Sequence, residues 1–424
     1  MSAILTALTP LAAQSQIAGY DKMLRTRATI RDIYVNMSGL FNRDQESIPN
    51  MIYMTVDGKT GANNTTVTMK LPLIGPPITG NRRLSQTEEQ PRTKAAKIYR
   101  NNYKKAVSVE QYGVRKVDQE SYGLYKKHIA DLSTWARQYE GLEIRQAILE
   151  TYGMSLWAGD TINLCQPRWN PHFYVQNATD AAQPVHDPNL VTYTNRIVAA
   201  ILDASGTFAN QSAAAAIMFN TLNKLCLEAL ARKLFPLMIE GNQAYIFVVS
   251  PLQATLFGDP TWNDAVSSGG AVWLRGNQLS EKTQKWHGMI GKFMSSIGPD
   301  IYVVRDEKCP TLIPSGTAAP YSLSAGYMWP GDLDRRQLDN PNVRDACFLL
   351  GKGAVSKWEP EPLHFVKQGD DYERIMGHGI AGVRGIQQVQ FDQDNPNATS
   401  LEYYGSMVVV MARPNYPTRV RPSV

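Results

Sequence analysis

Cysteine is scarce in this 424-residue chain. The four cysteines, Cys165, Cys226, Cys309 and Cys347, stand nowhere within metal-ligand spacing of one another, which argues against a zinc site. They read instead as small buried apolar residues of a reducing compartment. Histidine is thin too: His128, His172, His186, His287, His364 and His378 are scattered. No G-x-S-x-G, P-loop, H-E-x-x-H or C-x-x-C motif occurs, so the usual nucleophile, phosphate-cradle and metalloprotease patterns are missing. Nothing approaches eighteen unbroken apolar residues, so no transmembrane helix is expected. The opening stretch MSAILTALTPLAAQSQIAGYDK has no basic residue ahead of its apolar part, and Pro10 interrupts it, which argues against a secretory signal. There is no internal repeat. Net charge is +5, mild for the length, and does not by itself argue for nucleic acid.

What is present is ordinary globular material. The hydrophobic content is 43%, and the length allows two or three domains with a sizeable core. One motif invites a cofactor reading: in MGHGIAGVRG, Gly377, Gly379 and Gly382 spell G-x-G-x-x-G. A dinucleotide loop needs a buried strand before it and a helix after it, so that backbone amides and the helix N-terminus meet the pyrophosphate. Here QGDDYERI precedes and is too charged for a buried parallel strand. Val383, Ile386, Val389 and Phe391 follow with the spacing of a half-buried strand. The glycines therefore read as positions of bending or close backbone approach in a β-rich segment, and no cofactor is expected.

Along the chain, residues 1–60 lack sustained periodicity and read as an arm lying on something else. VTMKLPL, Val67 to Leu73, alternates as a strand. The next two dozen residues, IGPPITGNRRLSQTEEQPRTKAAK, carry Pro, Gly and charge but almost no core material, and IYRNNYKKAVSVEQYGV returns to β composition. Two strands joined by a long charged excursion are marginal alone, so the ribbon should rest on another domain or subunit. From Asp118 to Tyr152, Tyr122, Tyr125, Ile129, Leu132, Ala136, Tyr139 and Leu142 recur at helical steps, with Asp118 as N-cap and Gly153 as stop. Roughly thirty residues make a rod of about 45 Å, a structural spine. Gly123 and Gly141 weaken it, so one side must gain from packing. A second helix is expected over Ser212 to Leu234, then a buried strand Ala244 to Val249, with Ser250 and Pro251 as cap and first turn of another helix. DIYVVRD, ACFLLGKGAV and GSMVVVMARP are further β segments. Helices and strands mix without βαβ alternation, which gives an α+β class.

Two charged groups are candidates for function. Asp370, Asp371 and Glu373 precede His378, a set that suits acid–base work or a divalent metal, although a solvated loop is the plainer reading. The excursion and the strand after it carry Arg82, Arg83, Arg92, Lys94, Lys97, Arg100, Lys104 and Lys105 against Glu88 and Glu89. Only Tyr99 and Tyr103 interleave as aromatics, and no nucleic-acid module surrounds them, so a basic DNA-binding protein is an alternative rather than the first reading. A charged flap pairing with complementary charge on a neighbouring copy fits the ribbon better.

The order of arm, charged flap, spine helix, mixed domain and returning β segments resembles the major capsid protein of tailed bacteriophages, the HK97 fold. Five stretches look like its short-tailed (podovirus) subgroup: VTMKLPLIGPPITGNRRLSQTEEQ, ADLSTWARQYEGLEIRQAIL, FVVSPLQATLFGDPTW, GMIGKFMSSIGPDIYVVR, and LLGKGAVSKWEPEPLHFVKQGDDYERIMGHGIAGVRGIQQVQFD. They stand in the family's order from about Val67 to Asp392. The resemblance implies an N-terminal arm over 1–64, an E-loop over 65–115, a P domain with the spine helix over 116–190, an A domain over 191–360, and C-terminal β segments over 361–424 returning to the P domain. It implies a structural protein without catalytic residues or cofactor, located in the virion shell and assembled in the host bacterial cytoplasm. Its partners would be its own copies in hexamers and pentamers, portal and decoration proteins, and packaged double-stranded DNA touched without sequence preference. No long helical scaffolding segment precedes the arm, so the expectation is a separate scaffolding protein or none. Arg82, Arg83, Glu88, Glu89, Arg92 and Lys94 are the expected inter-subunit residues of the E-loop.

Overall fold

The computed structural model describes residues 34, 52–55, 64–70, 93–110, 121–149, 173–175, 183–185, 211–231, 233–284, 286–295, 297–312, 327–328, 344–370, 375–388 and 405–412. In chain order the strands are β1 (Ile52–Thr55), β2 (Asn64–Lys70), β3 (Thr93–Tyr99), β4 (Asn101–Glu110), β5 (Phe173–Val175), β6 (Gln183–Val185), β7 (Leu237–Ile239), β8 (Asn242–Val249), β9 (Val272–Arg275), β10 (Met289–Met294), β11 (Asp300–Arg305), β12 (Thr311–Leu312), β13 (Tyr327–Met328), β14 (Arg344–Leu350), β15 (Val355–Asp370), β16 (Ile375–Gln387) and β17 (Ser406–Ala412). The longer helices are α1 (Ser121–Leu149), α2 (Gln211–Ala231) and α3 (Pro260–Ser268). Most expected elements form within a few residues of their expected bounds. The strand expected at Val67–Leu73 starts earlier, at Asn64, because Thr65 and Thr66 extend the β-branched run toward it. The expected caps Asp118 and Gly153 lie outside the described residues.

The main sheet runs β6-β5-β17-β14-β8-β11-β10-β9, with β7, β12 and β13 attached off that path. β8 pairs parallel with β11, and β5 with β17; the other pairings are antiparallel. Its central strands are unbroken apolar runs. Ala244–Val249, Ile301–Val304 and Ala346–Leu350 are all buried, the pattern of strands covered on both faces. α2 contributes Met218, Leu222, Leu225, Cys226 and Ala229 to the same core, one stripe at helical spacing. At the end of β8 the expected cap is in place: Ser250 accepts from the Gln253 amide, Pro251 opens a single helical turn, and Ser250 Oγ donates to Asp345 Oδ2 at 2.6 Å.

Around α3, Trp262 is fully buried among Phe257 (4.8 Å between ring centroids), Trp273 (5.3 Å), Phe293 (6.0 Å) and Phe219 (6.3 Å). Removing it leaves a cavity the surrounding rings can only partly close. Trp262→Ala should cost ~3–5 kcal/mol in chemical denaturation. Trp262→Phe should cost far less, since it keeps most of the ring and sheds an indole N–H that has no partner among the described residues.

A second sheet, ordered β1-β15-β16-β4, is built on the long hairpin β15–β16. β1 joins β15 in parallel, Ile52 opposite Val355, so the region expected as an arm supplies an edge strand. Tyr34, from the same region, is fully buried in the main core, edge-on to Phe348 at 6.5 Å. β2 and β3 form a separate two-stranded ribbon, in register from Asn64↔Tyr99 to Lys70↔Thr93.

α1 connects the two cores. Its middle places Leu132 and Ala136 against Tyr103, Phe365 and Ile380 on the second sheet. Its last turns place Ile144, Ala147, Ile148 and Leu149 in the main core. The expected single apolar stripe is therefore an incomplete description: from Glu143 onward the helix is buried almost all round.

Candidate functional site

The densest chemistry among the described residues lies where α1 meets the second sheet. Glu140 and Glu143, one turn apart on α1, are each 1% exposed. Lys357 of β15 donates to Glu140 Oε1 at 2.7 Å and stands 3.2 Å from Glu359 Oε2. Arg384 of β16 donates through Nη2 to Glu143 Oε2, and its Nη1 is 3.6 Å from Glu140 Oε2. The Arg384 guanidinium also lies over the Tyr103 ring, 4.0 Å from its centroid. Tyr103, from β4, donates to the Ala136 carbonyl at 3.2 Å and stacks with Trp135 (5.4 Å) and Tyr139 (5.6 Å). Lys105 covers Trp135 from outside at 5.4 Å. Two residues beyond Glu143, Arg145 makes a two-pronged pair with Asp306, both contacts 2.7 Å, and its guanidinium sits 4.7 Å from the Tyr34 ring. Charges from α1, β15, β16 and the end of β11 thus fix the helix against both sheets, with a stacked aromatic wall beside them.

The electrostatics follow from the count of charges. Glu140, Glu143 and Glu359 face two buried cations, Lys357 and Arg384, with the half-buried Arg137 near Glu140. Burial alone would raise Glu140, but Lys357 and Arg384 overcome it and hold the carboxyl below its ordinary range. Glu143 goes the other way. Burial, with Glu140 beside it, outweighs Arg384 and pushes it up to about 7. Two features push in that direction: Glu143 Oε1 is buried with no hydrogen-bond partner among the described residues, and Arg384 is shared between two carboxylates. The folded-state value of Glu143 stands above its ordinary 4.5, so its contribution is fully present below 4.5 and is lost as the pH rises through about 7. Glu140 has the opposite sign: its contribution is present above 4.5 and lost as the pH falls through its lower folded value. Denaturation curves between pH ~5 and ~8 should therefore show the wild-type chain losing on the order of 2 kcal/mol relative to Glu143→Gln. Parallel pH profiles for the two chains would contradict this.

The described residues among those expected from the sequence lie elsewhere on the strands. Gly377, Gly379 and Gly382 lie inside β16, paired on one side with β15 and on the other with β4, and the strand runs on past them to Gln387. Their use is close approach: a Cβ on Gly379 would stand 3.2 Å from the Lys105 carbonyl oxygen, and one on Gly382 3.2 Å from the Leu363 Cα. Asp370 ends β15 opposite Ile375. Asp371 and Glu373 fall in the 371–374 connection, outside the described residues. His378 stands in register with Lys367 and Val107, three residues beyond Ile375, so its backbone is about 10 Å up the strand. Among the described residues no group of three or more His, Cys, Asp or Glu is arranged to hold a metal ion. Cys226, Cys309 and Cys347 are buried thiols. Of the flap residues, Lys94 lies in β3 opposite Met69, while Arg82, Arg83, Glu88, Glu89 and Arg92 lie outside the described residues. The sequence reading missed Glu140, Glu143, Arg145, Lys357 and Arg384. The available signal was three charges inserted between the apolar positions of a helix that also contains Gly141.

No protein-family model matches the chain, and no curated protein sequence is significantly similar to it. Solved structures do match. The capsid of Ralstonia phage GP4 superposes with a TM-score of 0.53 at 11% identity, over 90% of this chain and 90% of that one. The acid-stable capsid of Helicobacter pylori bacteriophage KHP30 gives 0.54 at 11% identity, over 90% and 91%. The head of Helicobacter pylori bacteriophage KHP40 gives 0.54 at 11% identity, over 91% and 91%. The chain therefore has the α+β, HK97-like fold of phage capsid proteins.

Proposed function

We propose that this chain is the major capsid protein of a tailed phage of the short-tailed subgroup. Its copies self-assemble into hexamers and pentamers that close into an icosahedral shell around double-stranded DNA. The observation that carries the reading is the agreement of fold with capsid chains over nine-tenths of the length on both sides. The organisation we propose is an arm over 1–64, an E-loop over 65–115, a P domain with α1 over 116–190, an A domain over 191–360, and C-terminal segments over 361–424 returning to the P domain. The ribbon β2–β3 supports the E-loop assignment: β3 touches β15 and β16 of the second sheet, but the ribbon pairs with no other strand among the described residues, and two strands alone are marginal in water. A neighbouring copy supplies the missing support, and contacts from one patch to a different patch close into rings. Portal, decoration and scaffolding proteins, and packaged DNA, are the partners this role entails. Assembly takes place in the host bacterial cytoplasm. The role is structural and uses no catalytic residue.

Replacing residues 71–92 by an Asn-Gly turn tests the reading. The shortened chain should keep its circular-dichroism spectrum and unfolding midpoint while sedimenting as small species. Normal particles from it would overturn the E-loop role.

A further inference from the structure

Cys309 and Cys347 face one another at the end of a β ladder. β12 pairs antiparallel with β14 in the register Thr311↔Asp345 and Leu312↔Arg344. Two residues back along the same ladder, Cys309 comes opposite Cys347. The ladder does continue there, because the Ala346 amide donates to the Pro310 carbonyl at 2.9 Å. That bond marks Pro310/Ala346 as the hydrogen-bonded position, so Cys309/Cys347 is the adjacent non-hydrogen-bonded one, where Cα atoms stand about 4.5 Å apart. This falls within the roughly 4.4–6.8 Å that a disulfide spans without backbone movement. The two thiols are hydrogen-bond neighbours, and Cys309 Sγ also reaches the Ala346 carbonyl at 3.2 Å. The segment that carries Cys309 is held on both sides. Asp306, three residues earlier, donates its amide to the Val249 carbonyl at 2.9 Å and is gripped by Arg145. Cys226 differs: its thiol donates to the Pro299 carbonyl at 3.3 Å.

We propose that Cys309 and Cys347 form an intrachain disulfide when the folded chain meets a disulfide oxidant such as oxidised glutathione, stapling β14 to the segment that enters β12. The inference does not depend on the assembly reading. One cysteine thiolate attacks the oxidant's sulfur, forming a mixed disulfide and releasing one glutathione thiolate. The second cysteine thiolate then attacks the protein-bound sulfur and releases the other. Two protons leave the cysteines and two electrons pass to the oxidant. Both thiols are almost fully buried, Cys309 at 3% and Cys347 at 0%, and burial pushes the Cys309 thiol up. The reaction is therefore gated by opening of the two-residue strand β12 and should take hours rather than seconds. Under reducing conditions the pair stays as thiols.

The test is native oxidation of the full chain with oxidised glutathione, alkylation of the remaining thiols, and peptide mass mapping without reductant. The expected result is a Cys309–Cys347 linked peptide pair, about 2 Da lighter than the two free peptides together. It should be reversed by dithiothreitol, and the oxidised chain should have a raised unfolding midpoint. Cys347→Ser should abolish the link; mapping of the wild-type chain decides the matter even if that variant folds poorly. Full alkylation of both cysteines after native oxidation would overturn the proposal, as would pairing of either with Cys165 or Cys226. A link that forms only in a urea-denatured chain would overturn it too, since the proposal rests on the native register.

Discussion

Arg384→Met should destabilise the folded chain by ~3–5 kcal/mol, read as a lowered urea midpoint with an unchanged slope. Arg384 is 5% exposed and is the one cation within salt-bridge distance of Glu143 among the described residues. Taking it away leaves a buried carboxylate that must either stay charged without a partner or hold a proton across the neutral range. It also removes the guanidinium from the face of Tyr103, a cation–π contact worth about 0.5–2 kcal/mol at a desolvated site. A double-mutant cycle separates the pair from the packing. Arg384→Met combined with Glu143→Gln should cost less than the sum of the two single changes, because the second change removes the charge that the first one strands. Strict additivity would show that the ion pair is incidental and that Arg384 acts only by filling space.

Arg82→Glu combined with Arg83→Glu should abolish or sharply reduce particle formation while leaving the subunit folded. The two arginines are adjacent in the connection between β2 and β3, a segment with almost no core material to lose, so stability should change by no more than about 0.5 kcal/mol. Assembly is different. If the flap docks on complementary charge of a neighbouring copy, reversing two charges turns attraction into repulsion at each of the many equivalent contacts of a shell. Wild-type assembly should also weaken as salt is raised, since exposed pairs are screened over about 8–10 Å. Normal shells from the double variant would remove Arg82 and Arg83 from the interface. The same change at Glu88 and Glu89, to lysine, provides the matched control for the opposite sign.

Much of the fold is legible in the sequence where one local rule decides. The runs AYIFVV and IYVV are short, apolar and bounded by breakers, so they read as buried strands without knowledge of their neighbours. Ser250 and Pro251 announce a helical turn by their own chemistry. The glycines of β16 were legible as structural because their flanks fail the test a phosphate loop must pass. What stayed hidden depends on partners far away in the chain. Lys357 meets Glu140 across 217 residues and Arg384 meets Glu143 across 241. A charged residue on a helix reads as solvent-exposed until the strand that covers it is known. Tyr34 and β1 were hidden for the same reason: a segment without periodicity of its own is placed by the core and the sheet edge it finds. The charged flap reads from composition alone as a segment needing outside support, and what it meets in the proposed shell would be a surface of another copy, which one sequence does not specify.

The size and shape of what the purified chain forms, measured by sedimentation followed by electron microscopy, decides whether it closes into the proposed shell of its own copies. The expected result is shells, tubes, or rings of five or six copies, with fast-sedimenting material that disperses when residues 71–92 are replaced. A chain that remains monomeric or dimeric throughout the accessible concentration range, both alone and with a scaffolding partner, would contradict it.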